Sequence, residues 1–446
     1  SAPTSGVFAV IANSDVETEA DLTLQATTNG TIETISAGGA GAQTAALGGA
    51  VSVNDMGRTL QAEIIDSQAI VGTDLTLQAT DTSTIQSLAG NVSGAGKAAI
   101  GASVAKNFIG NVITTGLDQS TVTADKALVD ATSKPTIQSI AAGGQFAGNF
   151  ALGGSITLNE IDNTIDATFT NSSLTTAADV IINADDTSKI DSLAGQAAVA
   201  VGNSAVAIGV AVATNDINNT VAVGFDQATV ESTQGFVQVD ATSEATLRSL
   251  SAGAAVSGGE YGGAIAGALS LNLIGNKTTV QADASQLTAQ TDLLINATDK
   301  AIIESLSGQA AVSISLGAGI GAAAAYNDIS NTVAVAGIDT SLEAKTGNLL
   351  FAADSTGEIE TLAAGLGASG LVGVAGSIAI NEMGNEVTST LQGGSAAAQG
   401  SLGLLATAEH TVKTTAGTVA AGAVGVGASF AVNNFNNQVK ATTNGT

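Results

Sequence analysis

Apolar side chains fall on alternate residues in short runs that return along the whole chain: Leu22-Leu24-Ala26, Leu75-Leu77-Ala79, Ala127-Val129-Ala131, Val180-Ile182-Ala184, Val237-Val239-Ala241, Leu293-Ile295-Ala297, Leu349-Phe351-Ala353 and Leu402-Leu404-Ala406. A period of two marks a half-buried strand. The closing Ala recurs after 53, 52, 53, 57, 56, 56 and 53 residues. Six residues after it, without exception, stands a branched apolar residue: Ile32, Ile85, Ile137, Ile190, Leu247, Ile303, Ile359 and Val412. A connection of fixed length between two period-two runs predicts a strand, a short polar turn such as Thr80-Asp81-Thr82-Ser83, and a second strand.

An Asn-x-x-x-Asn motif is the third landmark, at Asn107/Asn111, Asn159/Asn163, Asn215/Asn219, Asn272/Asn276, Asn327/Asn331, Asn381/Asn385 and Asn433/Asn437, with Asn54 matched by Arg58 in the first copy. The interval from the branched residue to the first Asn varies from 21 to 25, and the variation falls in a Gly/Ala-rich tract such as 194–202. A segment that tolerates insertion is a turn or bulge between strands. These tracts are read as strands, because their Val and Ile alternate (Val206, Ile208, Val210, Val212) and their frequent Gly would each cost about 1 kcal/mol inside a helix. Each repeat is expected to hold about four strands: the strand after Ile, the Gly/Ala strand ending at Asn, one strand after the second Asn (Val221 to Val230), and the Leu-x-Leu-x-Ala strand.

The reading is an all-β, parallel β-solenoid of about eight stacked repeats of 52–57 residues, forming one continuous domain over 1–446. Its units are a partial repeat 1–31, repeats 32–84, 85–136, 137–189, 190–246, 247–302, 303–358 and 359–411, and a partial repeat 412–446. Stacking places Leu on Leu and Ala on Ala, and inward Ala and Gly let facing sheets come closer than the usual spacing of about 10 Å. Two coil sizes fit the period, two coils of about 26 residues or one of about 53, and the alternation of landmark distances favours two.

Composition narrows the function classes. There are 54 Gly, 2 Pro, no Cys, no Trp and 3% aromatics, yet 44% of residues are hydrophobic, so the core is built from small aliphatic side chains. Without Cys there are no disulfides and no thiolate metal sites. No stretch approaches the roughly 18 apolar residues of a membrane helix. Lys+Arg 12 against Asp+Glu 39 gives a formal net charge of −27, which repels phosphate backbones and excludes nucleic acid as a partner. The chain begins at Ser1 with no charged-then-apolar leader, so a signal has been removed or the sequence is an excerpt of something longer.

The Asn motif is the most regular polar feature, and several copies carry an acid after the first Asn. The candidate calcium ligands are Asn159, Glu160, Asn163, Asn215, Asp216, Asn219, Asn327, Asp328, Asn331, Asn381, Glu382 and Asn385, since calcium takes six to eight oxygens. The competing expectation is a stacked Asn ladder with amides bonded along the axis, because copies at Asn107, Asn272 and Asn433 lack the acid. Gly365-x-Gly367-x-x-Gly370 matches a dinucleotide fingerprint by letter only, having no helix after it. His410, the single His, reads as an exposed turn residue. Asp185-Asp186 is a possible acid pair of the kind glycosidases use, but the aromatic platforms that sugars stack on are missing. No catalytic or cofactor-binding residue is assigned.

The Ala-Gly-Gly tract, the Asn-x-Ile-x-Asn corner, the segment Asp118-Gln119-Ser120-Thr121-Val122 and the Leu-x-Leu-x-Ala strand together resemble repeats of large bacterial exoproteins of the filamentous-haemagglutinin and leukotoxin type. The resemblance implies a secreted or cell-surface rod. The expected function is a non-catalytic structural rod or filament segment, adhesive towards a host or neighbouring cell. The alternative is the stalk or body of a secreted cytolytic, pore-forming exotoxin. An enzyme on a solenoid ranks third and an ice-binding Thr face fourth. Neither end carries a cap, which predicts end-to-end association of copies, or cover by flanking repeats of a longer chain.

Overall fold

The computed structural model describes residues 6–314 and 316–446; residues 1–5 of the first partial repeat and Ser315 lie outside it. Among the described residues every element is a strand, and every pairing is parallel between one repeat and the next. The fold is a β-solenoid, as the repeat predicts. Strand Gly6–Ala12 pairs with Thr59–Ile65, a displacement of one whole repeat, so each repeat is a single large coil. The two-coil preference is therefore corrected. The misleading half-period arises because Ile85 and Asn107 stand on two walls of one coil that folds back on itself.

The coil Thr59–Ile109 shows the plan. A side strand (Thr59–Ile65), a corner strand (Gln68–Val71) and a base strand (Asp74–Asp81) enclose a triangular body; an outgoing wall (Thr84–Ala95) and a return wall (Ala98–Ile109) then form a flat two-sheet slab. From Val180 onward base and outgoing strands fuse, as in Val180–Ala200. Nine side strands stacked at about 4.8 Å make the body about 38 Å tall, while a 12-residue wall at about 3.3 Å per residue is about 40 Å wide.

The expected single strand from Val221 to Val230 is two, Thr220–Asp226 and Thr229–Ser232. The chain turns between them at a residue of positive φ, Gln227 here and Asp66, Gln119, Asn171, Ala284 and Asp339 in other coils. A hydroxyl usually follows and closes the corner: Ser120 donates to the Asp118 carbonyl and accepts the Ser67 amide. The insertions sit at the slab tip, as expected of a turn. Ala95 to Ala98 leaves a two-residue connection, whereas Ala200 to Val206 leaves five.

The body core is the predicted Leu/Ile/Val column set, with Ile182 and Ile295 inside and Phe169 stacked on Phe225 at 5.3 Å. The slab core is mostly Ala, Gly and Ser. A methyl at Gly38, Gly253 or Gly367 would overlap a carbonyl oxygen of the opposite wall, which is the close approach that small inward residues permit. Where Asn91, Gln145 and Gln196 enter this layer, Gly101 and Gly153 face them and make room.

Candidate functional site: the stacked polar columns

The first Asn of each motif closes the return wall and points inward at the base of the slab. Asn54, Asn107, Asn159, Asn215, Asn272, Asn327, Asn381 and Asn433 form one column in which each Nδ2 donates to the next Oδ1, at 2.7–2.9 Å throughout. Four of these amides also meet a hydroxyl from the outgoing wall: Asn107 donates to Ser139, Asn272 to Ser305, Asn327 to Thr361 and Asn381 to Thr414. The column thus ties the two walls together where they leave the body.

The second Asn makes a different column. Oδ1 of Asn163 accepts the backbone N–H of Asn111, and the pattern continues through Asn219, Asn276, Asn331, Asn385 and Asn437 at 2.7–2.9 Å. From Asn111 to Asn331 its Nδ2 reaches a column two residues beyond the closing Ala, where Asp81, Ser133, Asp186, Ser243 and Asp299 alternate in register, all buried; Ser355 continues the column, but there Asn385 Nδ2 meets His410 instead. Asn219 donates to Asp186 Oδ2 at 2.8 Å and Asn111 to Asp81 Oδ2 at 2.9 Å. Sequence reasoning missed this inner acid column, although its fixed distance from the closing Ala is visible in the sequence.

Burial pushes the carboxyls of Asp186 and Asp299 up to about 7, against the lowering effect of Ser188 and Asn219 on the first and Asn331 on the second. Asp81 is raised by the same cause, with Ser83 and Arg58 opposing it. Arg58, the residue that breaks the Asn motif, lies in register with Asn111 and donates to Thr28 Oγ1 at 2.6 Å. His410 is not an exposed turn residue. It sits half-buried within strand Leu402–Ala421, with Nδ1 2.8 Å from Asn437 Nδ2 and Nε2 2.9 Å from Asn385 Nδ2, and burial lowers its pKa.

The twelve candidate calcium ligands do not converge. Asn159, Asn163, Asn215, Asn219, Asn327, Asn331, Asn381 and Asn385 face inward with their amides engaged along the axis, whereas Glu160, Asp216, Asp328 and Glu382 alternate to the outer face of the same strands. Period-two geometry forbids the neighbour of an inward residue from joining it. Outside, the acids repel: partial burial and then Glu160 raise Asp216, and partial burial and then Glu382 raise Asp328. Among the described residues no cluster of three or more Asp, Glu or His is set to hold a metal ion. Chelation with EDTA is expected to leave the melting temperature unchanged; a resident ion at a hundred times its Kd would contribute about 2.7 kcal/mol, and its removal would lower the transition.

Asp185 and Asp186 are split in the same way. Asp186 is inside, and Asp185 is outside, raised to about 6 by partial burial and by Asp130 beside it. They are not a pair across a substrate. An open groove of about 690 Å³ runs across the coils where base meets outgoing wall, lined by the Leu193, Leu250, Leu306 and Leu362 column and crossed by the Arg248–Glu304 ion pair at 2.9 Å. It repeats with the coils and has no single centre.

Asn215→Ala is expected to destabilise the fold by about 2–5 kcal/mol, since it leaves Asn159 Nδ2 and Asn272 Oδ1 buried without partners at about 1–3 kcal/mol each. Asn433→Ala, at the exposed end of the column, should cost about 1 kcal/mol or less. Urea titration of the two variants measures the difference, and equal losses would mean that the column carries no stability of its own. Compared with protein-family models, with curated proteins and with solved structures, the chain matches none of them.

Proposed function

We propose that the chain is a non-catalytic structural segment of an extracellular or cell-surface fibre, serving adhesion to a host or neighbouring cell. The observation that carries this reading is translational uniformity: all four sheets and the first amide column keep one register from coil to coil, and the second amide column does so from Asn111 onward. A stack built this way extends by adding coils, whether from further repeats of a longer chain or from other copies end to end. The resemblance to filamentous-haemagglutinin and leukotoxin-like adhesins points the same way.

Electron microscopy and fibre diffraction of native material test it. The expected result is long fibres with a spacing of about 4.8 Å along the axis. Isolated compact particles would overturn the fibre, and lysis of erythrocytes by the purified chain would favour an exotoxin stalk instead.

A further inference from the structure

The slab departs sharply from the rest of the coil in charge. From the Ser or Thr facing the ladder to the ladder Asn itself, the eight slab tracts carry only Lys97, Lys106 and Glu260, in a chain with 12 Lys+Arg and 39 Asp+Glu. The inner layer explains the lack of inward charge, but the outward positions are equally free of it.

The return-wall sheet is the extreme case. Its outward columns, starting at Ala45, Leu47, Gly49, Val51 and Val53, hold Lys106 as their one charged residue. Two aliphatic ridges run along the stack. One contains Ile100, Ile265 and Ile320, each 38–42% exposed, and the other Ile156, Val212 and Ile378; a Gly/Ala furrow through Gly154, Gly267 and Ala322, interrupted by Val210, separates them. Eight strands at about 4.8 Å by nine residues at about 3.3 Å give a face of about 1,000 Å². Monomers rarely expose an apolar patch above about 300–600 Å², and a stable interface needs about 800 Å² from each partner.

We propose that this face is the docking surface for the same face of a second copy, so that slabs pair laterally, sheet against sheet. A two-fold axis along the stack, between the Gly49 and Val51 columns, seats the Ile156/Val212/Ile378 ridge of each copy over the furrow of the other and lays the Ile100/Ile265/Ile320 ridge over the partner's column of Lys106, Leu271 and Tyr326, with the common coil spacing keeping them matched along the whole length. The same axis reverses the strand direction, so the outer acids at the slab base (Glu160, Asp216, Asp328, Glu382) lie over the partner's uncharged column beginning at Ala45 rather than over its acids. A bilayer is the competing occupant, and the vesicle arm of the test below separates the two. The inference rests on the fold and not on the fibre reading.

Sedimentation of the 446-residue chain over a concentration series tests it, with melting curves and particle images alongside. The expected result is a reversible dimer whose Kd rises about a hundredfold or more in the Ile265→Lys/Ile320→Lys variant, with an unchanged unimolecular melting transition. Leu306→Lys/Leu362→Lys, on the outgoing wall, should stay dimeric. If the Lys pair unfolds, Ile265→Thr/Ile320→Thr replaces it, since the same face already carries Thr214. Four results overturn the proposal: a monomer at every concentration, equal weakening by the outgoing-wall variant, association that persists in the Ile265/Ile320 variants and images as end-to-end contact, or flotation of the wild type with phosphatidylcholine vesicles that the Ile265/Ile320 variants lose.

Discussion

Gly253→Val is expected to cost about 3 kcal/mol or more and to open the slab locally, while Gly154→Val should be close to neutral. A Cβ at Gly253 would overlap the Gly267 carbonyl oxygen of the facing wall, and the neighbouring coils offer no relief, because Gln196 and Gln309 occupy the same column on either side. A branched side chain there has only two outcomes, separation of the walls or loss of the pairing that holds them. Gly154 faces outward, has nothing within 4 Å of an added Cβ, and stands in register with Val210, which already carries the larger side chain. Urea unfolding and limited proteolysis at the slab tip measure the contrast. Equal, small effects at both sites would mean that the walls are further apart than described.

Raising the pH from about 4.5 to 8 should destabilise the protein, and the double variant Asp186→Ser/Asp299→Ser should remove much of that dependence. Both carboxyls titrate near 7 in the fold against 3.8 in the open chain. Between those values the folded state holds protons that the unfolded state has released, so the contribution is complete below 3.8 and is lost as pH rises through 7. At about 1.4 kcal/mol per pH unit of displacement, each carboxyl accounts for on the order of 4 kcal/mol across that window. Ser is the natural replacement, since Ser133, Ser243 and Ser355 fill the alternate places of the same column. An identical pH slope in the variant would assign the effect to the outer acids and to the net charge of −27 instead.

The β-solenoid, the inward Leu/Ile columns and the Asn ladder were legible because each repeats at a fixed interval and because strands expose alternate residues to opposite faces. Coil number was not, since Ile85 and Asn107 mark two walls of the same coil and imitate a shorter period. The corner between side and corner strands escaped notice because Gln119 and Ala284 adopt positive φ without being Gly. The burial of Asp81, Asp186 and Asp299 escaped for another reason: a charged residue beside a turn reads as solvated, Asp186 reads from the sequence as half of an acid pair with Asp185, and only the packed column shows all three buried. The slab's lack of charge stands in the sequence itself, but its meaning depends on knowing that half of those positions point outward.

The slab also has a mechanical consequence. About 40 Å across but only two closely spaced sheets thick, it gives the stack very different resistance to bending in its two transverse directions. Flexing across the thin dimension shears few contacts, whereas flexing in the plane of the slab must stretch every hydrogen-bonded column at one margin and compress those at the other. A structure extended from such coils would behave as a ribbon, pliant towards its flat sides and stiff edgewise, with the triangular body as a rib along one margin.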